Sequence, residues 1–162
     1  MKKYFSLIIV IFYSFLYSQG GITGIKLKKI NGKTAKLNSY LADGPVLVNF
    51  WATWCSPCKK EMIHLNILQK KYSNQGLSIL AISTDSQKSL SKVRSFIRTK
   101  KYSFDIILDP NKQIFKKMNA SIMPTDILIG KDGSILWRHY GYLPGDEIYI
   151  EAEIRSALGL LN

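Results

Sequence analysis

The chain has 162 residues, which is enough for one domain with a buried core, and its 46% hydrophobic and 21% charged residues are typical of a globular protein. The formal net charge is +12, and the basic residues are scattered, often as lysine pairs. No basic and aromatic stripe accompanies them, so the composition favours a solvated basic surface over nucleic-acid binding. We therefore expect no nucleic-acid partner.

Residues 1–19 have the pattern of a secretory signal peptide. Lys2 and Lys3 form a charged start, and the apolar run of residues 7–16 is too short for a comfortable membrane span. Leu16 fits poorly at the third position before a cleavage after Ser18, so an uncleaved N-terminal membrane tether stays open. In both cases we expect a single domain, residues 20–162, located outside the cytoplasm in a periplasmic or secreted compartment.

The first elements are predicted to be a hairpin, a short helix and a buried strand. Residues 25–30 and 34–37 flank Asn31-Gly32, which is a strong hairpin signal. One helical turn is expected at residues 38–41. Residues 46–51 are nearly all apolar, as in a strand that is covered on both faces.

Helices and strands then alternate. Apolar residues recur at helical spacing after Pro57, and Gly76 ends that helix. The members of this stripe are Met62, Leu65, Leu68 and Tyr72. A strand follows at residues 77–82, and then a helix with Leu90, Val93, Phe96 and Ile97 on its inner face, which Ser86 or Ser89 is expected to cap.

The last part of the chain is predicted to end in a hairpin and a helix. A third strand (residues 104–108) and a short helix (114–118) precede it. Two strands, 126–129 and 135–140, form the antiparallel hairpin, and a helix at 146–158 closes the chain. This order predicts a parallel centre with an antiparallel edge and helices on both faces of the sheet.

Cys55 and Cys58 are the only cysteines, and they lie between the first buried strand and the following helix. A disulfide that closes over two residues restricts the unfolded chain very little, so it is a poor structural staple. At a strand-to-helix junction, this spacing predicts a redox-active disulfide. Cys55 is expected to be the more exposed, attacking thiol at the helix start, where the dipole favours thiolate, and Cys58 the resolving thiol.

The residues around the cysteines resemble those of a known superfamily. Phe50-Trp51-Ala52-x-Trp54-Cys55-x-Pro57-Cys58 after a buried strand resembles the thioredoxin active site. Asn49 replaces the aspartate of thioredoxins, Cys58-Lys59-Lys60-Glu61 follows, and a helix–strand unit precedes Met123-Pro124-Thr125. With the N-terminal hairpin and the signal, this pattern is similar to the TlpA/ResA-like exported thiol-disulfide oxidoreductases, from about residue 22 to the C-terminus.

The resemblance implies an α/β thioredoxin-like fold: a central mixed sheet with helices on both faces, an N-terminal β-hairpin and an inserted αβ unit. It implies an enzyme without a cofactor that most often reduces disulfides of exported proteins, apocytochrome c among them. A membrane thiol electron donor would recharge it, because no reducing glutathione pool is available outside the cytoplasm. We expect a monomer.

Glu61 is the third candidate catalytic residue. It follows Cys58 by three positions, so the two side chains can share a helix face. Asn49 cannot take a proton, and Glu61 is the only carboxylate within the motif. The resemblance places a functional glutamate here, as proton acceptor for Cys58 or as a group that tunes Cys55. The alternative is an ordinary acid in the first helical turn, where the dipole favours it.

Trp54, Met123 and Pro124 are the predicted substrate-binding residues. Although X-Pro bonds are mostly trans, the resemblance implies that Pro124 is cis and faces the dithiol. The backbone of Met123 would then pair with an incoming peptide, as in strand addition. Trp54 is expected in an apolar rim around Cys55, and Trp51 in the core.

Two other activities stay open for this site, and a third is disfavoured. The enzyme could be a disulfide oxidant or isomerase, which the motif alone does not separate from a reductant. A copper-binding chaperone would use the same cysteines, with His64 or His139, but no local histidine spacing supports a metal site. A peroxidase of the peroxiredoxin type is disfavoured, because Pro45 and Thr53 have the wrong spacing from Cys55.

Overall fold

The computed structural model describes residues 21–160, so the predicted signal or tether at residues 1–19 lies outside the described part. Strands β1 (Lys26–Lys28) and β2 (Thr34–Lys36) form the predicted antiparallel hairpin, although each is shorter than expected. Gly32 has φ +87°, as the turn requires. Among residues 21–160, no helix is long and apolar enough to cross a membrane.

Five strands form the main sheet, in the order β5-β4-β3-β6-β7. Their bounds are β3 (Val46–Trp51), β4 (Ser78–Ser83), β5 (Asp105–Leu108), β6 (Thr125–Ile129) and β7 (Ile135–Tyr140). Strand β3 is buried at every position and pairs in parallel with β4 and antiparallel with β6. β5 is parallel to β4, and β7 is antiparallel to β6, so the predicted mixed sheet is confirmed.

The helices cover both faces of this sheet, as predicted. They are α1 (Leu37–Leu41), α2 (Ser56–Tyr72), α3 (Leu90–Lys100), α4 (Gln113–Lys117) and α5 (Asp146–Ala157). Apolar residues of α2, α3 and α5 form one core, and those of α1, α4 and the hairpin form the other. Helix α3 and strand β5 are the inserted αβ unit between β4 and the Met123-Pro124 segment.

Alternation along β3 fills both cores. Trp51 points into the α2 side, where its ring lies 5.5 Å from that of Phe96. Phe50 points to the other side and meets Phe115 edge-on, with 5.2 Å between ring centroids. The predicted stripe on α2 is buried at Met62, Leu65, Leu68 and Tyr72. Strand β3 therefore holds the start of α2 in a fixed place, because both of its faces are packed.

The hairpin covers the outer edge of β5. Ile30 N donates to Ile106 O at 2.9 Å, and Lys29 forms a salt bridge to Asp105 at 2.8 Å. Tyr40 donates to the same carboxylate at 2.5 Å. These bonds join the N-terminal segment to the inserted unit.

Ser89 is the N-cap residue of α3, but neither its side chain nor that of Ser86 makes a cap bond. A 3-10 turn at Gln87–Ser89 precedes α3. A backbone hydrogen bond closes this turn, because Ser89 N donates to Ser86 O at 2.8 Å. A side chain caps α4 instead. The buried Asp109 accepts from the backbone N–H of Gln113 at 2.8 Å and of Phe115 at 2.9 Å.

Candidate active site

Cys55 and Cys58 form a disulfide at the start of α2, with 5.4 Å between their Cα atoms. Cys55 is the N-cap residue: its backbone is extended, and its Sγ accepts from Cys58 N at 3.3 Å. Pro57 lies in the first turn of α2, where the backbone N–H that proline lacks would have no partner within the helix. Cys55 is 5% exposed and Cys58 0%, so the predicted order of exposure is confirmed.

A buried aspartate holds the loop before the cysteines. Asp85 accepts from Thr53 N at 2.9 Å and from Thr53 Oγ1 at 2.6 Å, while Ser83 Oγ donates to it at 3.0 Å. The sequence reasoning missed Asp85. Its position after β4 was the available signal, because polar residues at the carboxyl ends of adjacent parallel strands converge on one edge of the sheet.

The predicted substrate-binding residues flank this edge. The Met123-Pro124 peptide bond is cis, as the resemblance implied. Thr125 pairs with Phe50, so Pro124 lies beside the end of β3 that leads to the cysteines. Met123 Sδ accepts from Thr84 Oγ1 at 2.9 Å, and Trp54 is 68% exposed. Contact of Trp54, Met123 and Pro124 with substrate stays a prediction.

Glu61 is fully buried and is therefore not a solvated acid of the first helical turn. Asn49 Nδ2 donates to Glu61 Oε2 at 2.7 Å. Burial, followed by the nearby Asp126 carboxyl, raises the pKa of Glu61 to about 11. The protonated form of Glu61 is thereby favoured, and the catalytic role of this residue stays a prediction.

Asp126 is the site residue that the sequence reasoning placed only as part of a strand. It is the register partner of Asn49, whose Nδ2 also donates to Asp126 Oδ1 at 2.8 Å. Burial raises the pKa of Asp126, while the neighbouring Glu61, the hydrogen bond from Asn49 and the nearby His139 act in the opposite direction. The available signal was an acid inside a short buried strand, because such an acid needs a partner.

The two histidines lie against α5 and the loop before it. His139 Nε2 is 3.2 Å from Asp146 Oδ2, and the ring centroid of His64 is 6.2 Å from that of Tyr142. Within residues 21–160, no group of three or more His, Cys, Asp or Glu residues is arranged to hold a metal ion.

The fold and the site together define a thioredoxin-like α/β protein with a Cys-x-x-Cys disulfide at the start of a helix. The sequence profile of the AhpC/TSA family matches residues 22–138, and the chain belongs to this family. The predicted superfamily and fold class are thereby confirmed.

Two curated relatives come from bacilli. The chain is 35% identical over 107 residues to "Thiol-disulfide oxidoreductase ResA" of Bacillus thuringiensis subsp. konkukian. The aligned residues cover 66% of this chain and 60% of the relative. The chain is 33% identical over 110 residues to the Bacillus subtilis protein of the same name, with 68% and 60% covered. The match therefore spans about 60% of the length of these relatives.

Solved structures agree over more of the chain. One solved structure is a Chlorobium tepidum protein that is assigned as the thiol:disulfide interchange protein DsbE. It is 29% identical to this chain and has a TM-score of 0.77, and the match covers 86% of this chain and 97% of that protein. StoA from Bacillus subtilis has a TM-score of 0.66 at 21% identity, with 80% and 95% covered. The likeness to StoA supports the fold alone.

Proposed function

We propose that the chain is an extracytoplasmic thiol-disulfide oxidoreductase that reduces disulfides of exported proteins through its Cys55-Cys58 pair. The observation that carries this proposal is the position of Cys55. Its sulfur caps α2 and accepts a backbone N–H, so the helix start stabilises a thiolate there once the disulfide is reduced. The names of the ResA relatives and of the DsbE protein support the same class of reaction.

The catalytic cycle needs only the two sulfurs and a proton acceptor. The Cys55 thiolate attacks a substrate sulfur, which forms a mixed disulfide and releases the first substrate thiolate. Cys58 loses its proton and attacks Cys55 Sγ, which re-forms the protein disulfide and releases the second thiolate. Two electrons pass to the substrate, and both released thiolates take protons.

The substrates we propose are exported proteins with disulfides, apocytochrome c among them. Outside the cytoplasm no glutathione pool reduces the enzyme, so the electrons must come from a membrane thiol donor. The signal pattern of residues 1–19 supports this location.

The direction of electron flow is tested by the reduction potential of the Cys55-Cys58 pair. We expect a value near that of thioredoxin, about −270 mV, and catalysed reduction of a protein disulfide such as that of insulin. The potential is measured by equilibration with thiol redox buffers. A value near that of DsbA, about −120 mV, would instead make the protein an oxidant and overturn the proposed direction.

Glu61→Gln is expected to slow disulfide exchange about tenfold to a hundredfold and to change its pH profile, because general-base catalysis is lost.

The stability of the protein gives a second readout of the same substitution. Folded Glu61 keeps its proton while unfolded Glu61 releases it, so the free energy of unfolding falls as pH rises from about 4.5 to about 11. Glu61→Gln removes the contribution of Glu61 to that slope. Urea titrations at several pH values and exchange rates measure both, and a wild-type pH–rate profile in the variant contradicts the role of Glu61.

A further inference from the structure

The Asn49 amide joins two buried carboxyl groups. Its Nδ2 lies 2.7 Å from Glu61 Oε2 and 2.8 Å from Asp126 Oδ1, so the two carboxyl groups share one amide donor. Within residues 21–160, Glu61 Oε1 and Asp126 Oδ2 have no hydrogen-bond partner. The pair therefore shares one amide donor, and each carboxyl group still has one oxygen without a partner in this part of the chain.

The surroundings favour a single negative charge on this pair. Two adjacent carboxylates without water repel each other, and full neutralisation would leave the Asn49 donor without an anionic acceptor. His139, the register partner of Asp126 on β7, favours the anion at Asp126. On α5, Asp146 disfavours a charge at Glu61. These contributions favour Glu61 over Asp126 as the site of a shared proton.

We propose that Asp126 makes Glu61 a proton relay for Cys58, and this inference rests on the proposed exchange reaction. Glu61, already protonated, cannot accept a proton unless it passes its own to a neighbour. Asp126 is that neighbour. Glu61 lies one helical turn after Cys58, a spacing that puts Cβ atoms about 5–6 Å apart. Glu61 Oε1, which has no partner among residues 21–160, is free to receive the proton.

The step balances as follows. The S–H bond of Cys58 breaks and an O–H bond forms on Glu61, while the proton already on Glu61 moves to Asp126. The Cys58 thiolate then attacks Cys55 Sγ, and the substrate leaves as a thiolate. The pair returns the extra proton, which ends on the released substrate thiol. Asp126 is a positioning residue in this scheme, because it acts on the sulfur only through Glu61.

Asp126→Asn tests the relay through the pH dependence of the resolving step. In the wild type, the shared proton and the Asn49 amide stabilise the single anion, so the pair becomes an acceptor at low pH. In the variant, Glu61 is the only acid and becomes an acceptor only when it ionises itself. The acid limb of the resolution rate therefore moves up by about one pH unit or more, and the rate at neutral pH falls about tenfold. Stopped-flow resolution of a preformed mixed disulfide measures both.

Two comparisons separate the relay from a structural role. In a Cys58→Ser background, Asp126→Asn is expected to change the attack of Cys55 on a disulfide reagent less than about twofold, because the helix start activates that thiol. Equal slowing of both steps would make Asp126 structural and overturn the relay. The matched control is Asp109→Asn, a buried aspartate at α4, which is expected to lower stability without moving the pH profile.

Infrared titration of the protonated carboxyl band reads the pair without any substrate. The wild type is expected to lose its two carboxyl protons in two separated steps, and Asp126→Asn to show one step at an intermediate pH. Identical titrations overturn the relay, whether or not the protein exchanges disulfides. If the wild-type protein reduces no disulfide, the proposed function is overturned. If Asp126→Asn is active and the acid limb of its pH–rate profile does not move, only the relay is overturned.

A double variant completes the test. Glu61→Gln already removes the first member of the relay, so adding Asp126→Asn is expected to slow resolution no further, within about twofold. If the two effects multiply instead, the carboxyl groups act independently and the relay is wrong.

Discussion

Cys55→Ser is expected to abolish disulfide exchange, with a fall of about a thousandfold or more to the uncatalysed rate. The thiolate is the attacking group, and a serine hydroxyl in its place neither ionises at working pH nor forms a disulfide. Cys55 alone caps α2, so Cys58 does not take over its role. Turbidity from reduced insulin, or the release of a chromophoric thiol, measures the loss.

Cys58→Ser is the matched control for this prediction. It keeps the attacking thiol and removes the resolving one, so it should form a mixed disulfide with substrate and stop there. Non-reducing gels and mass spectrometry detect that covalent complex. If Cys55→Ser forms the complex and Cys58→Ser does not, the roles of the two cysteines are reversed.

Phe50→Ala is expected to lower the free energy of unfolding by about 3–5 kcal/mol, because truncation of a buried phenylalanine loses transfer free energy and leaves a cavity. Phe50 has no exposed surface and meets the ring of Phe115 edge-on. Since domains of this size are stable by about 5–15 kcal/mol, the change removes a large part of the total. Urea denaturation followed by circular dichroism measures it.

Trp54→Ala is the control for aromatic truncation. Trp54 is largely exposed, so its loss should change the free energy of unfolding by no more than about 0.5 kcal/mol. Comparable losses at Phe50 and Trp54 would contradict the assignment of Phe50 to the core.

The fold was predictable because its signals are local or repeat along one element. The helical stripe from Met62 to Tyr72, the apolar run of β3 and the Asn31-Gly32 turn each indicate one structure within a short window. The cysteine spacing likewise predicted a disulfide at the start of a helix, where Cys55 and Cys58 lie.

The carboxyl pair was not predictable in the same way. Asn49 and Asp126 are 77 positions apart, and they meet only because β6 pairs antiparallel with β3 in one register. A shift of one residue would turn Asp126 to the other face of the sheet. Glu61 could be found from its distance to Cys58, but its burial and its partner depend on that register.

The hairpin that covers β5 makes the two edges of the main sheet differ in their accessibility to strands of other chains. An uncovered edge strand presents unpaired backbone groups and is a template for aggregation or strand exchange. Strands β1 and β2 occupy that place at β5 through Ile30 and the Lys29-Asp105 bridge. Unwanted growth of the sheet is thereby hindered on the side of the inserted unit, which leaves β7 as the other edge strand of the sheet.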